Sequence, residues 1–265
     1  MKIFKFRNLL VLSVIISSSY ACSDDDFNDG GSNDNSNNNN NGGGTTSELA
    51  VYEKIYGASS VTKDGDNVVI TSNGMPDHVS PYYETTNSLY EAYSGTTFTG
   101  VTFRQNPNTI ASQSLTFTIP LNPTPATTTT ATSLGPIGIA INGVVLYNQY
   151  AGPNNQALTN EITSFDKYYG HPQQQGQYHY HVEPLYLTTV KESKEALMGF
   201  LLDGYPVYGP EEAGATIVSA DLDTFHGHTG VTAEYPNGIY HYHFTEDAPY
   251  LNGNGFYGVP GTVTQ

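Results

Sequence analysis

The sequence predicts a mainly β protein in which duplicated hairpin-and-strand units pack as a β-sandwich-like domain with little helix. Three observations carry that expectation. Short runs alternate polar and apolar residues, as half-buried strands do, and they stop at Gly, Pro, Asn or Asp. Tyrosine is abundant, with 21 residues, while tryptophan is absent; tyrosine favours strands and can bury its ring while hydrogen-bonding its tip. Above all, several sequence elements occur twice in the same order, so one β unit is present in two copies.

The chain begins with a targeting segment. Lys2, Lys5 and Arg7 are followed by an apolar run over residues 9–16, too short to span a bilayer. Ser17-Ser18-Ser19-Tyr20-Ala21 then meets Cys22, the only cysteine. A secretory signal ending in a small residue before a lone cysteine resembles the bacterial lipoprotein lipobox, in which that cysteine becomes the acylated first residue. Residues 1–21 are read as a lipoprotein signal peptide and Cys22 as a lipidation site that makes the bilayer a partner. An ordinary cleaved signal peptide is the alternative, but it leaves an odd thiol unexplained in an exported protein. Asp24-Asp25-Asp26 resembles a surface-export signal of some Gram-negative lipoproteins. The expected location is therefore the outer membrane, with the domain facing either the periplasm or the outside. Residues 22–46 are Asn, Asp, Gly, Ser and Thr in the main and cannot build a core, so they read as a disordered tether.

Residues 47–265 form the β domain. It has no cysteine and thus no disulfide. The chain carries 25 acidic against 9 basic residues, a formal net charge of −16. That balance excludes nucleic acid and anionic headgroups as partners and suits cations as ligands. Residues 66–71 read as a strand after a glycine turn, and residues 114–119 as an alternating strand that stops at Pro120. The Thr- and Pro-rich stretch 122–133 is expected to be an exposed loop. Residues 188–197 are the one credible helix, and residues 87–93 a further helical turn.

The repeat has three parts. Gly138-Ile139-Ala140-Ile141-Asn142-Gly143 precedes Val144-Val145-Leu146-Tyr147, and Gly199-Phe200-Leu201-Leu202-Asp203-Gly204 precedes Tyr205-Pro206-Val207-Tyr208. Each reads as a buried strand, a two-residue Asn-Gly or Asp-Gly hairpin turn and a second strand. Phe165-Asp166 stands four intervening residues before His171, and Leu222-Asp223 four before His228. Tyr178-His179-Tyr180-His181 is answered by Tyr240-His241-Tyr242-His243. Residues 134–183 and 195–246 are therefore two copies of one unit. Such copies commonly bury a shared face, which would set the two histidine strands near a local two-fold axis.

Alternate side chains of a strand share a face, so each tetrapeptide puts two imidazoles on one side, roughly 6.5–7 Å apart at the backbone, and two phenols on the other. A loop histidine added to such a pair makes a three-histidine site. The candidate ligands are His171, His179 and His181 in one copy and His228, His241 and His243 in the other. Imidazole suits a divalent transition metal, with Zn or Cu foremost. Asp166 and Asp223 are candidates to orient an imidazole or to ligate; they could equally form turns. Glu183 continues the face of His179 and His181 and is a candidate fourth ligand or catalytic base, whereas the second copy has Thr245 there, next to Glu246. His226 and His78 are expected to be structural. Alternating Tyr and His can also simply pack across a sheet. No Gly-x-Ser-x-Gly, phosphate-cradling loop or free thiol of the domain offers a nucleophile. Three functions stay open: a metal-binding envelope lipoprotein, a metal-dependent hydrolase or oxidoreductase working through metal-bound water, and a metal-free adhesion module with exposed phenols.

At these residues the sequence resembles the YHYH domain family. The resemblance is carried by Ser72-Asn73-Gly74-Met75-Pro76-Asp77-His78, Ile119-Pro120-Leu121-Asn122-Pro123, Gly170-His171-Pro172, the two tetrapeptides, Asp203-Gly204-Tyr205-Pro206-Val207-Tyr208-Gly209, Gly227-His228 and Pro249-Tyr250. It implies an exported protein and names a motif rather than an activity. Many relatives carry cysteines near the glycine-histidine loops and the C-terminal end. Tyr168, Tyr169, Phe225 and Phe256 stand around those places here, so the resemblance implies that aromatic packing replaces disulfides.

Overall fold

A computed structural model describes residues 48–253 and 255–265. The signal peptide, Cys22 and the tether expected from the sequence lie outside the described residues. The fold is mainly β and sandwich-like; every helical segment among the described residues is three to five residues long.

One sheet is antiparallel. Strands β1 (Ser60–Asp64), β2 (Asn67–Ser72), β3 (Leu115–Pro120) and β18 (Thr262–Thr264) pair in that order. In β2 and β3 burial alternates, with Val68, Ile70, Leu115, Phe117 and Ile119 turned inward. That is the pattern of a sheet with one face on a core.

The second sheet holds the repeat. Copy one supplies β5 (Pro136–Ala140), β6 (Val145–Tyr147), β9 (Gly170–Pro172) and β10 (Tyr178–Tyr180). Copy two supplies β11 (Leu197–Leu201), β12 (Pro206–Tyr208), β15 (Gly227–Gly230) and β16 (Ile239–His243). The order is β15-β16-β12-β11-β5-β6-β10-β9. Read outward from the middle, both halves run hairpin strand, hairpin strand, Tyr-His strand, loop-histidine strand. The halves meet where β5 and β11 pair antiparallel, with Phe200 opposite Ile139. Both central strands are buried along their whole length, so they read as continuous apolar runs.

The local two-fold therefore runs between β5 and β11. This corrects the expectation that the histidine strands lie near it: β10 and β16 are each third from the axis, separated by β6, β5, β11 and β12. Five strand steps at about 4.8 Å set them roughly 24 Å apart. The hairpins at the axis are the most apolar part of each copy, and burial draws them to the centre.

β6 pairs β10 in parallel, as β12 does β16. A parallel pair needs a crossover of a dozen or more residues. Each crossover carries a small ribbon, β7 (Tyr150–Ala151) with β8 (Gln156–Ala157) in copy one and β13 (Glu211–Glu212) with β14 (Ala215–Thr216) in copy two.

Four local expectations need correction. The hairpin turns are not two-residue turns: Ala140 N donates to Val144 O and Gly143 N to Ala140 O, with Gly143 at φ 81°, and Leu201 to Tyr205 repeats this with Gly204 at φ 82°. These are three-residue loops closed by a glycine in the left-handed region. Within 122–133, β4 (Pro125–Thr130) pairs with β17 (Phe256–Gly258); the C-terminal segment supplies a partner no local pattern could reveal. The helix expected over 188–197 shrinks to a five-residue π-turn, Leu187–Lys191, and residues 87–93 form turns and a bridge rather than a helix.

The two sheets share one hydrophobic core that includes Ile70, Phe117, Ile139, Leu146, Phe200 and Tyr242. Ser72 Oγ donates to Gly143 O at 2.7 Å and Gly57 N to Ile141 O at 3.0 Å, tying β2 and the N-terminal segment to the first hairpin turn.

Candidate metal centres

The tetrapeptides sort their side chains as strand alternation requires. Phenols enter the core: Tyr178, Tyr180, Tyr240 and Tyr242 are all buried. A buried hydroxyl needs a partner, and the repeat supplies it twice. Tyr178 OH donates to Asp166 Oδ2 and Tyr240 OH to Asp223 Oδ1, each at 2.9 Å. Tyr180 OH accepts from Asn142 Nδ2 at 3.2 Å, and Tyr242 OH donates to Asp203 Oδ2 at 2.7 Å. The hairpin-turn residue and the loop aspartate thus lock each Tyr-His strand in register.

Asp166 and Asp223 consequently do not join the imidazoles. Each also accepts a backbone N–H two residues on, from Tyr168 at 2.8 Å and Phe225 at 2.9 Å, which is the turn-forming alternative. Burial pushes the Asp166 carboxyl up. The glycine before each loop histidine makes room for the phenol: a Cβ on Gly170 would lie 2.4 Å from the Tyr178 ring, and one on Gly227 2.5 Å from Tyr240 OH.

On the other face the loop histidine stands directly opposite the first strand histidine, His171 across from His179 and His228 across from His241. The crossovers close the site with a carboxylate. Two groups result that could hold a metal ion: Glu161, His171, His179 and His181, and Glu212, His228, His241 and His243, with the ligand atoms of each group all within 4.8 Å of one another. All six histidines expected from the sequence are brought together, three in each group.

Hydrogen bonds fix the tautomers of the first group. His179 Nδ1 meets Gln177 O at 3.1 Å, and His181 Nδ1 meets Asn148 O at 2.6 Å. Carbonyls only accept, so both Nδ1 atoms carry the proton. Ser164 Oγ donates to Glu161 O and therefore accepts from His171 Nδ1 at 2.7 Å. In the neutral form each of the three rings then presents a bare Nε2 lone pair. His179 and His181 Nε2 face each other at 3.1 Å, and Glu161 Oε2 lies 3.3 Å from His181 Nε2 and 3.7 Å from His171 Nε2. His171 Nε2 is buried without a hydrogen-bond partner. Burial, reinforced by the like charge His181 would carry, lowers the His171 pKa to about 3, and burial likewise holds His179 well below its ordinary value. Lone pairs packed this closely repel unless a cation lies among them.

The second group repeats the arrangement. His241 Nδ1 donates to Ile239 O at 3.1 Å and His243 Nδ1 to Gly209 O at 2.7 Å. His228 Nε2 lies 3.2 Å from His243 Nε2, and Glu212 is 3.3 Å from His228 Nε2 and 3.4 Å from His241 Nε2. His241 Nε2 is buried and unpartnered. Burial lowers His243 to about 4 and also lowers His241.

The remaining candidates lie elsewhere. Glu183 accepts from Thr188 Oγ1 and lines a separate cleft with Tyr169 and Pro210. The strand ends at Tyr180, so the alternation that would have aimed it at the metal face is broken before it. His78 packs among the phenols, with Nδ1 donating to Val79 O and Nε2 accepting from Tyr180 OH at 3.0 Å. His226 bonds Thr245 Oγ1 at 2.9 Å. Tyr168 packs tilted against His78 and edge-on against Tyr186, Tyr169 edge-on against Phe98 and Phe225 edge-on against Tyr257.

Sequence reasoning missed Glu161 and Glu212. They stand 10 residues before His171 and 16 before His228 respectively. Alignment of the two copies therefore does not superpose them. The available signal was an acid within each crossover.

A family model described as YHYH protein matches residues 116–217 and 211–255, together more than half of the chain and covering both groups. No curated protein and no solved structure matches. The shared strand order, the paired histidine faces and this match lead to one conclusion: the chain belongs to the YHYH protein family.

Proposed function

We propose that this protein is a cell-envelope lipoprotein that binds a divalent transition metal at two separate centres, one per repeat. One observation carries the metal reading. Five of the six ring nitrogens turned away from the centres are tied to backbone carbonyls or to Ser164, His228 Nδ1 being the exception, so in the first centre no Nε2 can turn away from the others. Three imidazoles and a carboxylate match the donor preferences of Zn and Cu. The outward hydrogen bonds from Nδ1 are the supports that orient such ligands. Burial of all four tetrapeptide phenols argues against the adhesion reading, in which those rings would face solvent.

Metal analysis of the purified full chain by mass spectrometry tests this. The wild type is expected to hold two equivalents. His179→Ala/His181→Ala and His241→Ala/His243→Ala should each hold one. A metal-free wild type, or variants with unchanged content, would refute the reading. For the anchor we propose acylation at Cys22, supported by the signal-like segment and the lone thiol. Labelled fatty acid should enter the wild type and not Cys22→Ser; equal labelling of both would refute it.

A further inference from the structure

The described residues contain six bases: Lys54, Lys63, Arg104, Lys167, Lys191 and Lys194. Every lysine has a carboxylate partner, namely Glu234, Glu48, Glu91, Asp77 and Glu211 for Lys54, Lys63, Lys167, Lys191 and Lys194 in turn. Arg104 alone has neither an ion pair nor a side-chain hydrogen bond among the described residues. In a chain of net charge −16, an unneutralised guanidinium is the exception. Its backbone is held in place, with Arg104 N donating to Thr163 O at 2.6 Å.

Arg104 lines a cavity of about 770 Å3 into which Glu161, His171, His179 and His181 also open. Its neighbours Asn106 and Asn108 each donate a side-chain N–H to Pro172 O, at 3.1 and 3.0 Å, which stiffens that wall. Leu134 and Pro153 add apolar surface. The volume lies in the range of small-molecule sites, and apolar walls with a few placed polar groups are their usual lining. The cavity at the second centre differs: about 340 Å3, lined by Glu195, Glu211 and Glu212 and by no base. Carboxylates there repel an anion.

We infer that the first centre is a receptor for a small molecule bearing a carboxylate or phosphate group, gripped between the bound metal and Arg104. A guanidinium is planar, permanently charged and matched to two oxygens of such a group. The second centre holds its cation without an anionic ligand. This assignment rests on metal occupancy of the first centre.

Cobalt(II) absorption reports on it. The full chain carrying His241→Ala/His243→Ala, which leaves only the first centre, is loaded with cobalt and titrated with acetate and with inorganic phosphate. At least one of them should shift the spectrum, and which one does identifies the group recognised. Arg104→Gln should keep its cobalt content and weaken that anion by about tenfold or more. The converse protein, His179→Ala/His181→Ala, should respond to neither. Normal cobalt content with no anion response, or a response that Arg104→Gln leaves unchanged, overturns the inference and spares the metal reading. A wild type that takes up no cobalt overturns both.

Discussion

The two centres use the same imidazole geometry and differ in what supports it. In the first, all three rings are fixed by an outward hydrogen bond, and His171, His179 and His181 are all buried. In the second, His228 Nδ1 has no hydrogen-bond partner among the described residues and its side chain is 31% exposed. The carboxylates also arrive by different routes: Glu161 sits between two 3-10 turns, Glu212 in ribbon strand β13. Position in the repeat fixes the strands and their register, whereas the crossovers are free to vary. The donor set is the same even though the residue supplying the acid is not. Preorganisation is complete in one centre and partial in the other.

The comparison is sharpest for the aspartates that hold the phenols. Asp166 is buried and accepts from Ser80, Tyr178 and Tyr168, while its counterpart Asp223 is exposed. Asp166→Ala should cost about 3 kcal/mol or more, since it strands two buried hydroxyls and a half-buried N–H, and Asp223→Ala about 1 kcal/mol. Denaturant unfolding measures both, and equal losses would break the contrast. Next in size is metal retention. Supports of this kind change affinity by about 10–100-fold, so a chelator should strip the second centre first. Following metal release from the two His-to-Ala double variants checks it; faster release from the first centre would contradict the account.

Acid should weaken the metal-free protein. His171 is lowered to about 3 and His243 to about 4, with burial the main cause. Between the ordinary value near 6.5 and those values, the unfolded chain binds protons that the folded one does not. Stability is therefore full above pH 6.5 and declines as pH falls through that window, by up to about 1.4 kcal/mol per unit and per histidine. His171→Asn should flatten the slope in pH-dependent melting. Smallest is Tyr147→Phe. Tyr147 stacks on His179 with ring centroids 3.9 Å apart and donates its hydroxyl to Gln177. Losing that bond should cost about 1 kcal/mol, with metal content unchanged.

Much of this was legible in the sequence because the repeat is local text. Strand alternation gave the sorting of Tyr178 and Tyr180 from His179 and His181, and the matched Asp-x4-His loops marked His171 and His228 as companions. What could not be read depends on pairings between distant segments. Nothing local says that β5 meets β11 at the axis, which separates the histidine strands. Nothing local brings β17 to β4. Glu183 looked like a ligand only while the strand was assumed to continue past Tyr180. Glu161 and Glu212 were hidden because crossover length, not sequence offset, decides which acid reaches the imidazoles.

Anomalous diffraction from zinc-loaded crystals tests the central claim most directly. The account predicts two zinc peaks roughly 24–29 Å apart, five to six strand steps, one bound by Nε2 of His171, His179 and His181 with Glu161, the other by Nε2 of His228, His241 and His243 with Glu212. A single peak shared between the halves, or peaks away from these rings, would contradict it.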